Sequence, residues 1–235
     1  VSSSTTDRAG YVQDVFTRIA PRYDLMNRLM TAGQDIRWRK EVIRRARLQA
    51  GDLLLDLGAG TGDLAHEALR QQPGCRVVAA DFTLGMMLAG KRDSGRLTWT
   101  AADALHLPFA DGSFDAIVSG YLLRNVADLP QALVEMRRVL KPGGRWVALD
   151  TTRPQPGVLA PFIRFYLRHI IPAMGALITG QRDAYTYLPE STQAFLTAED
   201  LADKLGLAGF TNIGFVRRMA GTMAIHWAER GDHES

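Results

Sequence analysis

Apolar and polar positions along this 235-residue chain switch between a helical and a strand period, and the alternation predicts a parallel α/β sheet. Tyr11, Val12, Val15, Phe16 and Ile19 recur at helical spacing, and Ile36, Val42, Ile43 and Ala46 predict another helix ahead of the first strand. Apolar runs then mark four strands: Leu53 to Leu57, Val77 to Asp81, Leu97 to Ala101, and Asp115 to Ser119 after the turn Asp111-Gly112-Ser113. Asp128 is expected to cap a helix that buries Leu129, Leu133, Met136 and Leu140 and is stopped by Lys141-Pro142-Gly143-Gly144. Strand five follows from Arg145 to Asp150. Thr197 caps a helix over Ala198 to Leu207, ended by Gly209, and Ile213 to Arg218 and Thr222 to Trp227 read as two strands around Met219-Ala220-Gly221.

The sharpest chemistry lies where the first strand breaks. Leu57-Gly58-Ala59-Gly60-Thr61-Gly62-Asp63 is a glycine-spaced turn that opens a helix, and glycine permits both a tight turn and close approach of backbone to a ligand. The spacing GxGxG is one residue tighter than the dinucleotide fingerprint GxGxxG, which favours a smaller ligand without a pyrophosphate. A plain tight strand-to-helix connection is the alternative, so a second match is needed. Asp81 provides it, ending an apolar strand 25 positions after Asp56, near the spacing at which an acid meets ribose hydroxyls. Asp103, just after the third strand, is either an adenine contact or a turn cap.

With Asp56 at the strand end and Asp63 opening the helix, the turn resembles motif I of the class I S-adenosylmethionine (SAM)-dependent methyltransferases, whose ligand carries a cationic sulfonium and an ammonium. Five further segments resemble one family within that class. They are Phe16-Thr17-Arg18-Ile19-Ala20-Pro21-Arg22-Tyr23-Asp24-Leu25-Met26-Asn27, Trp38-Arg39, Leu123-Arg124-Asn125-Val126-Ala127-Asp128, Glu135-Met136-Arg137-Arg138-Val139-Leu140-Lys141-Pro142-Gly143-Gly144, and Tyr187-Leu188-Pro189-Glu190-Ser191. In order and spacing they are similar to the ubiquinone/menaquinone biosynthesis C-methyltransferases, the UbiE/MenG family, over about residues 11–228. The Lys-Pro-Gly-Gly stop is common among methyltransferases, whereas Tyr-Asp-x-Met-Asn and Leu-Arg-Asn-Val-x-Asp are far more specific.

The resemblance implies a Rossmann-like α/β fold: a seven-stranded, mostly parallel sheet with an antiparallel terminal strand, N-terminal helices and a helical lid insertion. It divides a single methyltransferase domain, 1–235, into a loose tail (1–10), N-terminal helices (11–50), a SAM-binding core (51–150), a lid or substrate insertion (151–195) and a C-terminal helix with strands (196–230). SAM is the implied cofactor, held by Asp56, Gly58, Gly60, Thr61, Gly62, Asp63, Asp81, Phe82, Met86, Asp103 and Ala104. Phe82 stands where many methyltransferases have proline or serine, and is expected to stack on adenine. Met86 and Met87 read as core beside the cofactor. The implied reaction is methyl transfer to a ring carbon of a polyprenyl quinol, with menaquinone favoured over ubiquinone.

Such a ring carbon becomes nucleophilic when a ring hydroxyl loses its proton. Phenols titrate near pH 10, so a site that populates the anion at neutrality must favour it by about 4 kcal/mol. Arg124, at the end of strand four where open α/β sheets bind ligands, is the candidate cation. Its guanidinium stays protonated, so water or a carboxylate must carry the proton away. The competing reading of Arg124 is a strand-edge salt bridge, to Asp128 for instance. Asn125 either orients the quinol oxygen or caps the following turn, and Tyr23 and Asp24 either line the ring pocket or fasten an N-terminal helix. Trp38 is expected to pack.

Composition narrows the partners. A net charge of +3 gives no argument for nucleic acid, and one cysteine, Cys75, excludes an internal disulfide. His66, His106, His169, His226 and His233 are too scattered for a metal site, so none is expected. No apolar run reaches the roughly 18 residues that span a bilayer, and Val1 to Thr6 has no signal-peptide core, so a cytoplasmic protein with a loose start is expected. The stretch Thr151 to Arg182 has 32 residues, four arginines (Arg153, Arg164, Arg168, Arg182) and no acid, alongside Phe162, Ile163, Phe165, Tyr166, Leu167, Ile170 and Ile171. It is read as a lid that receives the isoprenoid tail and touches anionic lipid at the inner face of the membrane, against the alternative of a buried hairpin or a homo-oligomer interface. Arg37, Arg39, Lys40, Arg44, Arg45 and Arg47 read as a solvated helix face. Rival functions are an O- or N-methyltransferase of another small molecule and a non-catalytic methyltransferase-like scaffold.

Overall fold

A computed structural model describes residues 16–90, 97–153, 160–179 and 195–231, together with Gly10, Asp14 and Thr192. Its strands are β1 (Leu53–Leu57), β2 (Arg76–Asp81), β3 (Leu97–Ala101), β4 (Phe114–Gly120), β5 (Leu140–Thr151), β6 (Phe210–Arg218) and β7 (Met223–Arg230). They form one sheet in the order β3-β2-β1-β4-β5-β7-β6. The pairs from β3 through β5 are parallel, while β7 runs antiparallel to both β5 and β6. This is the expected seven-stranded, mostly parallel arrangement. The order reverses between β1 and β4, where an open α/β sheet leaves a crevice beyond the carboxyl ends of its strands.

The helices are α1 (Tyr23–Met30), α2 (Gln34–Ala46), α3 (Asp63–Gln71), α4 (Leu84–Gly90), α5 (Leu129–Val139), α6 (Ala160–Phe165), α7 (Ile171–Thr179) and α8 (Ala198–Leu207). Because successive strand residues point to opposite faces, Leu54 packs with Val77, Val118 and Val147 beneath α2 and α3, while Leu55 and Leu57 pack with Ile117 and Trp146 beneath α5 and α8. Burial on both faces explains why β1 is apolar at every position but Asp56. Asp128 caps α5 by accepting from Gln131 N at 3.0 Å. Thr197 and Asp200 form a reciprocal capping box on α8.

A third cluster joins Phe16, Ile19, Ala20 and Met26 at the N-terminal end to Leu167 and Ile171 of the lid and to Met86. Tyr166 Oη donates to Met30 O at 2.9 Å, and the Arg22 guanidinium donates to Ile178 O, so α6 and α7 are tied across α1.

Three expectations are corrected. Leu140 does not extend the helical stripe: its backbone is extended and it already pairs with Phe114, so α5 stops at Val139 and the Lys-Pro-Gly-Gly residues lie within β5. Pro142 favours this, since the residue before a proline is driven to extended backbone. Ile36 is 41% exposed, and the buried stripe of α2 is instead Asp35, Trp38, Arg39, Val42, Ile43 and Ala46. The last two strands begin or end about three residues beyond their expected limits, because their pairing continues to Phe210 and Arg230. Tyr11, Val12, Val15, the tail from Val1 to Thr6, Tyr187 to Ser191, and the lid positions 154–159 and 180–182 lie outside the described residues.

Candidate active site

The turn after β1 holds Gly58, Gly60 and Gly62 at φ of +70°, +57° and +83°, the left-handed region that side chains disfavour. A Cβ added at Gly58 would lie 3.0 Å from Leu122, and one at Gly62 would lie 2.9 Å from the Trp99 ring. At both positions the crowding partner is a protein side chain, Leu122 in the cavity wall and Trp99 of β3. Gly58 N and Ala59 N donate to Ala80 O, and Gly60 N donates to Asp81 Oδ2 at 2.7 Å, which fastens the turn to the end of β2.

One cavity lies against this turn, lined by Asp56, Gly58, Gly60, Thr61, Asp63, Asp81, Phe82, Met86, Asp103 and Ala104, together with Tyr23, Arg39, Tyr121 and Asn125. Of the eleven residues read from the sequence as cofactor contacts, only Gly62 is missing from this lining, and its role is the contact with Trp99. Asp81 is buried and accepts from Gly60 N and Thr83 N, each at 2.7 Å. Burial raises its pKa, and these backbone donors oppose the rise. Asp56 is 1% exposed. One of its oxygens accepts from Ala65 N at 2.9 Å while Oδ1 is buried without a hydrogen-bond partner among the described residues. Burial pushes its pKa up to about 7, helped by the charges of Asp81 and Asp63. Asp103 is exposed, and its Oδ1 accepts from Leu105 N at 2.9 Å, so it does cap a turn while facing the cavity. Phe82 is 48% exposed at the rim.

Arg39 departs from its expected place on a solvated face. It is 8% exposed, and its Nη1 lies 2.8 Å from Asp35 Oδ2 and 2.6 Å from Asp63 Oδ2. The run of basic residues hid it. Helical spacing separates it, because Arg37, Lys40, Arg44 and Arg47 are exposed while Arg39 shares the buried stripe of Asp35, Trp38 and Val42. Arg45 is half-buried, stacked on Trp227 at 3.7 Å.

A second, more apolar cavity is lined by Asn27, Met30, Thr31, Tyr121, Arg124, Thr151, Tyr166, Leu167, Ile171, Thr192, Met219, Thr222 and Met223. It lies between α1, the lid and the end of β5. Arg124 reaches it from the turn Leu123–Asn125. The ion-pair partner of Arg124 is Asp150, at 3.1 Å with both side chains buried, and not Asp128, which is engaged as the α5 cap. Asp150 also accepts from Leu123 N at 2.8 Å and Thr151 N at 2.7 Å, and burial raises its pKa against the pull of Arg124. Asp150 closes strand five in the sequence, and its isolation in an apolar run was the available clue.

The remaining candidates divide between the two cavities. Tyr23 lines the first, and burial raises its pKa while Arg124 and a hydrogen bond with Asn27 oppose the rise. Asn125 also lines the first, and its Nδ2 donates to Tyr121 O at 2.8 Å. Asp24 is among the lining residues of neither: it accepts from Thr61 Oγ1 at 2.9 Å and so fastens α1 to the glycine turn. Its pKa is raised by burial and by the nearby Asp63. Trp38 packs at 3% exposure. Among the described residues no group of three His, Cys, Asp or Glu side chains could hold a metal.

The family described as the ubiE/COQ5 methyltransferase family matches residues 3–230. A ubiquinone/menaquinone biosynthesis C-methyltransferase UbiE of Desulfotalea psychrophila is 47% identical over 218 residues, covering 92% of this chain and 89% of that protein. A demethylmenaquinone methyltransferase of Thermus thermophilus is 42% identical over 220 residues, covering 92% of this chain and all of the relative, 100%. Among solved structures, the complex between the Haloferax volcanii Trm112 methyltransferase activator and a methyltransferase superposes with a TM-score of 0.67 at 17% identity, covering 92% of this chain and 97% of that one.

Proposed function

This chain belongs to the ubiE/COQ5 methyltransferase family, and from that premise we propose that it transfers the methyl group of SAM to a ring carbon of a polyprenyl quinol, demethylmenaquinol being the favoured acceptor. The names of the Desulfotalea and Thermus relatives support this acceptor class. The observation that carries the reading is the pair of adjoining cavities: one acid-lined at the glycine turn, the other apolar with Arg124 in its wall.

The first cavity suits SAM. When bound, SAM supplies an electrophilic methyl on a sulfonium, leaving as a neutral thioether. Asp56 Oδ1, buried and without a partner among the described residues, would accept from the ammonium. Asp81, whose carboxylate is held at the cavity by backbone donors, would accept from the two ribose hydroxyls. Asp103 and Phe82 would flank the adenine, with Ala104 and Met86 closing the side. Gly58, Gly60, Thr61 and Gly62 shape the turn, and Asp63 keeps Arg39 in place beside it.

The acceptor ring enters from the second cavity. Arg124 stabilises the ring oxyanion with its fixed positive charge, and Asp150 holds the guanidinium in place. Asn125 and Tyr23 border the reacting carbon, and Asp24 holds α1 over the site. The ring carbon held there would take the methyl that SAM supplies. The ring carbon then loses its hydrogen as a proton to water, restoring aromaticity. Joining an anion to a cation cancels charge, so the apolar lid favours the transition state over separated ions.

The same acceptor argues for work at the inner face of the membrane by a cytoplasmic protein. Phe162, Phe165 and Leu177 are 71%, 59% and 87% exposed, beside the exposed Arg164 and Arg168. Exposed apolar and basic side chains within one segment suit anionic lipid. No helix among the described residues is long and apolar enough to cross a membrane. Methyl transfer from labelled SAM to chemically reduced short-tailed demethylmenaquinone, with a benzoquinol in parallel, tests the chemistry. Vesicle flotation with and without anionic lipid tests the surface, and lipid-independent behaviour would remove it.

A further inference from the structure

Tyr121, one residue beyond β4, lines both cavities. Its backbone sits at φ +62°, a conformation that tyrosine disfavours. Two hydrogen bonds hold it there: its N–H donates to Leu149 O at 2.8 Å, and its carbonyl accepts from Asn125 Nδ2 at 2.8 Å. Such held strain aims a side chain where relaxed backbone would not place it. The ring lies 5.3 Å from the Arg124 guanidinium carbon.

The hydroxyl is buried and has no hydrogen-bond partner among the described residues. A buried hydroxyl left unpaired is rare, because it forfeits its bonds to water without replacement. Tyr121 borders both cavities, and Arg39, Tyr23, Arg124 and Asp35 all act on its hydroxyl electrostatically. Burial raises its pKa well above that of a free phenol, so at neutral pH it carries its proton and can donate. Nothing in the packing of α2 or β4 uses that donor.

Resting on the functional reading above, we propose that Tyr121 is an acceptor-binding residue: its hydroxyl donates a hydrogen bond to a ring oxygen of the quinol, complementing Arg124 and orienting the ring carbon toward the cofactor cavity. Asn125 acts through it as a positioning residue, by holding the Tyr121 carbonyl. The strained turn and the unpaired donor then have one cause, an aromatic ring aimed at a polar ligand.

Tyr121→Phe keeps the ring and removes only the donor. It should lower kcat/KM for the quinol about tenfold, the size of one hydrogen bond to a neutral or partly charged group, with SAM affinity unchanged. Its Tm should equal or exceed that of the wild type, because an unpaired buried hydroxyl has been deleted. A purely structural hydroxyl would instead lower Tm and spare kcat/KM. Unchanged kcat/KM, or a loss of activity that tracks a lower Tm, overturns the proposal. Failure of the wild type to methylate any quinol overturns the functional reading, and a wild type that turns over while Tyr121→Phe matches it overturns this inference alone.

Discussion

Replacing Arg124 with alanine should damage both turnover and stability, and the two effects separate. Arg124 Nη1 lies 3.1 Å from Asp150 Oδ1, with both side chains buried. Removing one partner of a buried pair costs about 3–5 kcal/mol, because the other charge is left uncompensated. Asp150 keeps backbone donors at Leu123 (2.8 Å), Thr151 (2.7 Å) and residue 124 (3.4 Å), which puts the expected loss at the low end, about 3 kcal/mol. Turnover loses a fixed donor at the developing oxyanion, worth about 2.7–4 kcal/mol, or a factor of about 10²–10³ in kcat. The pH dependence gives a third signature. Burial raises the pKa of Asp150 and Arg124 holds it down, so the variant's carboxyl rises further. A group whose folded pKa exceeds its unfolded value contributes stability below the unfolded pKa and loses it as pH rises through the folded one. The variant's deficit should therefore shrink on going from neutral to mildly acidic pH. Urea unfolding at both pH values, with single-turnover kinetics, measures all three. Arg124→Ala/Asp150→Asn should recover much of the stability and none of the turnover. Wild-type turnover in Arg124→Ala, or a deficit that neither pH nor Asp150→Asn relieves, would refute the reasoning.

Asp81→Ala should weaken SAM binding at least about tenfold, since it deletes the acceptor of two backbone donors as well as the ribose contact; unchanged affinity by calorimetry rejects the assignment. Asp56, with a pKa near 7, should ionise when the ammonium binds, so SAM binding near neutral pH should release a proton, seen as buffer-dependent heat. By the same sign, the ligand-free protein should lose stability as pH rises through about 7, and Asp56→Asn should abolish both effects. Gly62→Ala places a Cβ at φ +83° and 2.9 Å from Trp99, and should cost about 1–3 kcal/mol in urea unfolding. An unchanged midpoint would mean that the turn relaxes freely.

What the sequence made legible follows from local rules. Buried parallel strands read as apolar runs, helix caps read as Asp128 and Thr197, and a glycine-spaced turn between strand and helix marks the first cavity. What escaped depends on long-range contact. Arg39 looks like its basic neighbours until α2 is packed, and only then does one face turn toward Asp63. Asp150 and Arg124 are 26 positions apart, and nothing local pairs them. Tyr121 carries no mark in the sequence, because its meaning lies in a backbone twist and an unpaired hydroxyl that no pattern of residue types announces. Leu140 fits a helical stripe and a strand start equally well, so its residue type does not separate the two.

The measurement that bears most directly on the account is the position of the transferred methyl. Incubating the protein with SAM and chemically reduced, short-tailed demethylmenaquinone, then locating the added carbon by mass spectrometry and NMR, should place it on the vacant ring carbon beside the prenyl chain. A methyl on oxygen, or no transfer by protein that binds SAM tightly, would contradict ring C-methylation and leave only the cofactor half of the account standing.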